Sequence, residues 1–237
     1  MQPQTPGAVR PPQAIRSYVV RAGRITPAQQ RALSELWPRY GVAFTPGPLD
    51  LDRLFGRSAP RTLEIGFGNG DNLLARALRD PGRDFLGVEV HRPGIGHLLL
   101  GAAGAALTNL RVIAHDAVQV LQLQLTDASL DEVQLLFPDP WPKKRHHKRR
   151  LVQPAVIELL AARLRAGGRL HVVTDWQPYA EQMLVDLSAC AALERLALDR
   201  PAGDAAATPG GRTATRFEKR GERLGHRIHE YVFLRRA

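Results

Sequence analysis

The sequence predicts an α/β fold, a mostly parallel sheet with helices on both faces, and three observations carry that prediction. From Arg61 to Val173, short runs rich in Val, Ile, Leu and Phe alternate with helical stretches, the order expected of βαβ units. A glycine turn, Gly66-Phe67-Gly68-Asn69-Gly70, sits where the first of these strands hands over to a helix. Acidic residues Glu64, Glu89 and Asp116 fall at or just after the ends of three successive strands, at the edge where a doubly wound sheet gathers its ligands.

Residues 1–17 are rich in Pro and Gln with few large apolar groups, the composition of a disordered tail, which leaves residues 18–237 as one domain with an N-terminal helical extension. Thr26-Pro27 reads as an N-cap followed by proline at the first helical position, opening a short helix that Pro38 stops. Residues 62–65 form the first strand and 71–78 the helix after the glycine turn. Strand 84–90, helix 94–107, and strands 110–114 and 130–137 follow. Residues 151–164 form an amphipathic helix closed by Gly167-Gly168, and 169–173 a fifth strand. The Gly-, Ala-, Pro- and Thr-rich stretch 201–214 reads as a flexible loop, and 227–234 as a closing strand.

A chain of 237 residues that is 44% hydrophobic can bury one large core. No apolar run approaches the roughly 20 residues of a membrane span, and the N-terminus lacks a charged-then-apolar leader, so a soluble, cytoplasmic protein is expected. The single cysteine, Cys190, excludes an internal disulfide and a cysteine-based zinc site, and its Ala/Leu-rich setting suits a buried small residue. The eight histidines lack supporting ligands at metal spacing, and His226 and His229 suit packing or hydrogen bonding better than zinc; no metal is expected.

A formal net charge of +10 and a sequence pI near 10.7 call for a polyanionic partner. Of the 33 basic residues only four are Lys, and Lys143, Lys144 and Lys148 lie together with Arg145, His146, His147, Arg149 and Arg150. Such a block is a ready clamp for a phosphate backbone. It follows directly on Phe137-Pro138-Asp139-Pro140-Trp141-Pro142. Asp139, caught between two prolines, has little backbone freedom and presents its carboxylate in a fixed direction, so the segment reads as a catalytic corner beside a nucleic-acid clamp. Trp141 suits either stacking on a base or wedging the loop onto the core.

The three strand-end acids sharpen the weak glycine signal. An acid after the second strand accepts from ribose hydroxyls, one beside the glycine turn faces a cationic amine, and Asp116 accepts from an adenine amino group. S-adenosylmethionine has all three features. A nicotinamide dinucleotide also uses Glu89, but its pyrophosphate repels an acid at Glu64.

These residues resemble the bacterial tRNA (guanine-N7)-methyltransferases. The resemblance runs through Glu64-Ile-Gly-Phe-Gly-Asn-Gly70, Gly87-Val-Glu-Val90, the Phe137–Arg150 segment, Thr174-Asp175, Thr215-Arg-Phe-Glu218, Arg220-Gly221 and Gly225-His226, and covers roughly residues 19 to 235. It implies a Rossmann-like class I methyltransferase with a seven-stranded sheet, acting on the tRNA variable loop as a monomer or homodimer. Under the resemblance Glu64, Gly66, Gly68, Gly70, Glu89, Asp116 and Asp139 line the S-adenosylmethionine site, with Asp139 also catalytic. Lys143, Asp175, Thr215, Arg216, Phe217 and Glu218 contact substrate, and Lys144 to Arg150 meet the tRNA. His147 stands where the family usually has Asn, and Arg216 where Lys is common. Two rivals stay open: an amino-methyltransferase, which places an Asp/Asn-Pro-Pro-aromatic loop after the fourth strand, and an RNA binder without catalysis. The modified nucleoside separates the first, and cofactor binding the second.

Overall fold

The structure, a computed structural model, describes residues 17–18, 23–196, 212–213 and 215–237; the expected tail and nearly all of the expected 201–214 loop lie outside the described residues. The strands are β1 (Gly41–Val42), β2 (Arg61–Ile65), β3 (Asp84–Val88), β4 (Leu110–Ile113), β5 (Leu130–Leu136), β6 (Leu164–Thr174), β7 (Leu193–Leu196) and β8 (His229–Arg235). They form one sheet in the order β1-β4-β3-β2-β5-β6-β8-β7. β8 runs antiparallel to both β6 and β7, and the remaining pairs are parallel. The expected seven strands are β2 to β8, and β1 adds a two-residue parallel pairing at the β4 edge.

The helices are α1 (Pro27–Glu35), α2 (Trp37–Tyr40), α3 (Leu51–Phe55), α4 (Asp71–Arg79), α5 (Arg92–Gly104), α6 (Ala117–Leu123), α7 (Pro154–Arg163), α8 (Gln177–Ala189) and α9 (Arg216–Arg223). Thr26 caps α1 in a reciprocal capping box with Gln29, as its sequence predicts. Pro38 does not stop that helix. It sits in the first turn of α2, where its missing N–H costs no intrahelical bond. Gly167-Gly168 likewise does not close α7, which ends at Arg163 with Leu164 already extended. The two glycines lie in the irregular start of β6, where pairing jumps from Leu130↔Leu164 to Glu132↔Arg169.

Alternation along the strands sends side chains to two cores. Leu63, Ile65, Leu86, Val88, Val133, Leu135, Leu170 and Val172 meet Val120 of α6, Leu160 of α7 and Met183 of α8. On the other face Phe85, Leu110 and Val112 meet Leu73 of α4, Leu98 of α5 and Ala32 of α1. Each fully buried Leu, Ile or Phe stabilises by about 1.5–3 kcal/mol. Cys190 is buried in the first core, and burial pushes its thiol pKa up, as expected of a small core residue rather than a nucleophile.

The order reverses between β2 and β5. From β2 the chain proceeds to β3 and β4 on one side, and from β5 to β6 on the other. The crevice at their carboxyl ends therefore lies between the glycine turn and the Phe137-to-Trp141 corner.

Candidate active site

The turn after β2 opens the crevice. Gly66 and Gly68 have φ of 71° and 58°, a region unfavourable to other residues, and a Cβ on either would meet nothing within 4 Å. Their backbone thus faces open space that a ligand can enter. Gly70 serves packing, since its Cβ would press on Leu98 at 2.8 Å.

Glu64 lies at the end of β2 and is 2% exposed. Its Oε2 accepts from Asn72 Nδ2 at 2.8 Å, and burial raises its pKa to about 7 against the lowering effect of that bond. The same Asn72 amide donates to Gln134 Oε1 at 2.9 Å, Gln134 donates to Glu132 Oε1 at 2.9 Å, and Arg76 NH2 donates to Glu132 Oε2 at 2.7 Å. Against the upward push of burial, Arg76 holds Glu132 below the usual carboxylate range. Of the two acids in this buried polar row, Glu132 is paired with Arg76, while among the described residues Glu64 is met by the neutral Asn72 amide, so its carboxyl suits a ligand ammonium.

Glu89 follows β3. Its Oε2 accepts from Gly68 N at 2.8 Å, and its Oε1 from Val90 N at 2.6 Å and His91 N at 2.9 Å. Three of a carboxylate's roughly four acceptor sites are spent in holding the glycine turn to β3, so one remains for a ribose hydroxyl where two were expected. Asp116 is likewise engaged by backbone. Its Oδ1 caps α6, accepting from Val118 N at 2.8 Å and Gln119 N at 3.2 Å, and it borders a 460 Å3 cavity beside Lys148 and Gln153 that adjoins the crevice at Tyr18, His115 and Leu151. Its neighbours His115 and Ala117, rather than Asp116, border the crevice that contains Glu89.

That crevice consists of two adjoining clefts. One, of 350 Å3, is bordered by Ile65, Val88, Glu89, Phe137 and Asp139; the other, of 620 Å3, by Glu64, the glycine turn and α9. Gly66, Gly68, His91, Leu136 and Phe217 border both. Asp139 is exposed at the rim of the smaller cleft. Phe137 and Trp141, on either side of Pro138-Asp139-Pro140, have φ of 53° and 45°. Two non-glycine residues in the left-handed region within five positions store roughly 1–3 kcal/mol each, so surrounding contacts must fix this corner.

Arg150 is the principal fixture. It is buried, donates from Nε to Pro140 O at 2.9 Å and from NH1 to Gln182 Oε1 at 2.7 Å, and lies 4.7 Å from the Tyr179 ring centroid. Its guanidinium works inside the fold, and the expectation that it meets RNA is corrected accordingly. The rest of the block is a 3-10 helix, Lys144–Arg149, with Lys143 at its N-cap. Lys143, Lys144, Arg145 and Lys148 are exposed. Desolvation, then Arg145 and Arg149, push the His146 pKa below its ordinary value, so His146 adds little to the charge of the block at pH 7. Arg149 lies over Trp141 at 4.1 Å, and Trp141 Nε1 donates to Ser17 O at 3.1 Å. One face of that indole is thus taken by Arg149, and its edge anchors the N-terminal segment.

Thr215 caps α9 through a capping box with Glu218. Glu218 is 1% exposed and bound by both terminal nitrogens of Arg212, which is itself fully buried and also reaches Glu230. Glu230 in turn accepts from or shares a proton with His171 Nε2 at 2.7 Å. Glu218 is therefore a seat for the helix, correcting its expected substrate contact. Asp175, after β6, pairs with His226 at 3.2 Å, and neither it nor Lys143 borders the two clefts. Thr215 and Arg216 border the larger cleft, and Phe217 borders both. Sequence reasoning missed Asn72, Arg212 and His171. Each also binds a partner far along the chain, 62, 18 and 59 positions away, which no local spacing reveals. Among the described residues no group of three or more His, Cys, Asp or Glu is placed to hold a metal, and no helix is long and apolar enough to cross a membrane.

A crevice at the switch point, a glycine turn with an acid on either side, and a sheet closed by one antiparallel strand define the methyltransferase class. A family model described as "Putative methyltransferase" matches residues 58–231. The crystal structure of the 16S rRNA methyltransferase KamB superposes with a TM-score of 0.54 over 92% of this chain and 99% of that one, at 15% identity, a likeness of fold. Curated relatives named tRNA (guanine-N(7)-)-methyltransferase are much nearer. The Leifsonia xyli protein is 56% identical over 92% of this chain and 94% of its own length, and the Stutzerimonas stutzeri protein 52% identical over 95% and 93%. The chain belongs to the tRNA (guanine-N7)-methyltransferase family.

Proposed function

We propose that this enzyme transfers the methyl group of S-adenosylmethionine to N7 of a guanosine in the tRNA variable loop, position 46 in tRNA numbering, forming 7-methylguanosine. The observation that carries the reading is the placement of Asp139 on the rim of the cleft that holds Glu89 and the glycine turn, immediately before the exposed basic helix. The crevice fits the cofactor. Gly66 and Gly68 leave open space along the backbone, Ile65, Val88 and Phe137 give an apolar bed for a purine, Glu89 keeps an acceptor for ribose, and Glu64 offers a carboxyl for the ammonium.

When bound, S-adenosylmethionine supplies an electrophilic sulfonium methyl. Guanine N7 carries its lone pair at neutral pH, so no residue has to remove a proton before transfer. What the site supplies is alignment and tolerance of positive charge on the base. Asp139 does both: as a carboxylate it accepts from guanine N1–H and the exocyclic amine, and its charge favours the cationic product ring. Arg150, through Pro140 O, keeps that corner in place, and Phe217 offers a stacking surface across the crevice, being 56% exposed.

Asp139→Ala is expected to abolish methyl transfer while tRNA affinity stays within about twofold, because the basic helix is intact. Undiminished transfer by the variant would reject the role.

A further inference from the structure

The helix that faces the glycine turn carries three cations, Lys219, Arg220 and Arg223, that neither the basic block nor the Thr215–Glu218 segment accounts for. On α9, Arg216, Lys219, Arg220 and Arg223 fall at i, i+3, i+4 and i+7, one helical face, and all four border the 620 Å3 cleft. All four are exposed, and among the described residues none makes an ion pair or a side-chain hydrogen bond. The opposite face is fastened. Glu218 is locked by Arg212, and Gly221 packs so close to Asp175 that a Cβ there would lie 3.1 Å from its side chain.

This pattern is unfavourable for the helix alone. Arg216–Lys219, Arg216–Arg220, Lys219–Arg223 and Arg220–Arg223 are like-charge pairs at i, i+3 or i, i+4, and Glu222 is the sole acid on the helix besides the buried Glu218. A helix rigidly seated on one side and self-repelling on the other is suited to a polyanion. Around the same cleft the acids are Glu64, buried, and Asp71, so the cationic face dominates the mouth.

We propose that α9 is a second phosphate-binding wall, in which Lys219, Arg220 and Arg223 grip the backbone of the substrate RNA across the crevice from the Lys143–Arg149 block. The inference rests on the tRNA reading above. RNA gripped from both walls is held with its target base over the rim where Asp139 lies, and neither wall alone fixes that register.

The test compares wild type, a Lys219→Gln/Arg220→Gln/Arg223→Gln triple variant and an off-site control, Arg31→Gln/Arg53→Gln, whose exposed side chains lie on α1 and α3. Binding of unmodified tRNA is measured from 50 to 300 mM salt, with S-adenosylmethionine affinity and melting temperature alongside. Each lost phosphate contact lowers the log–log salt slope by about 0.7 on single strand or 0.9 on duplex, so the triple variant should lose about 2–3 from the slope, and roughly tenfold or more in affinity at 100 mM salt. Its cofactor affinity should not fall, because the lost cations stand around the cleft that offers Glu64 to the ammonium, and its melting temperature should be unchanged or raised. The control should keep the wild-type slope. A triple variant with wild-type slope and affinity, alongside a wild type that binds and methylates tRNA, overturns the second wall and leaves the parent reading standing. A wild type that neither binds nor methylates tRNA overturns both. Equal slope losses in the triple variant and the control would also overturn the proposal, because net charge would then explain the effect.

Discussion

Glu64→Gln tests the electrostatics of the crevice most sharply. The change keeps the side chain's shape and leaves an oxygen to accept from Asn72 Nδ2, but removes the ionisable group. In the folded protein burial raises the Glu64 pKa from 4.5 to about 7. The folded state therefore keeps a proton that the unfolded chain has released, so the stability linked to it is full below about pH 4.5 and is lost as pH rises through 7. At ~1.4 kcal/mol per pH unit, the gap between 4.5 and about 7 is worth about 3 kcal/mol. At pH 8 the Gln variant should thus be more stable than wild type by about 3 kcal/mol, or roughly 6–12 °C in melting temperature for a chain of this size. At pH 5 the gap should shrink to about 1 kcal/mol or less. Thermal melts at pH 5, 6, 7 and 8 read this directly, and parallel curves for the two proteins would refute the reasoning. Wild-type affinity for S-adenosylmethionine should rise with pH through 7, as the carboxylate forms to meet the ammonium, and the variant's should be weaker and flat.

Arg150→Met should cost on the order of 2–3 kcal/mol through its lost charged hydrogen bonds to Pro140 O and Gln182, and reduce kcat with little change in the salt slope of tRNA binding. A slope reduced by a full phosphate contact would instead place Arg150 on the RNA. Neutralising Lys143, Lys144, Arg145 and Lys148 together should flatten the slope by up to about 3–4 without lowering the melting temperature, and an unchanged slope would reject the clamp.

The architecture was legible because it is written in local periodicity. Thr26-Pro27 announced α1, and the alternation of apolar runs with helical stretches marked β2 to β6 to within a few residues. The failures have a common form. Pro38 and Gly167-Gly168 are breakers by type, yet the first sits in a helix's opening turn and the second in an irregular strand, and only tertiary pairing decides between such outcomes. That Glu64, Glu89 and Asp139 border the two clefts was legible, because strand ends and flanking prolines limit where each can lie. Arg150 and Glu218 were misjudged because a run or motif gives charge without burial. Both are charged side chains turned inward, toward Pro140 and Gln182 in one case and Arg212 in the other. Asp116 carries a second role that its position before a helix permits, since its Oδ1 caps α6.

The most direct measurement of the central claim is the identity of the product. Purified protein is incubated with unmodified tRNA and methyl-labelled S-adenosylmethionine, the RNA is digested, and the labelled nucleoside and its position are determined. Label in 7-methylguanosine from the variable loop is the predicted result. Label on an exocyclic amine, or tight tRNA binding with no label at all, would contradict it.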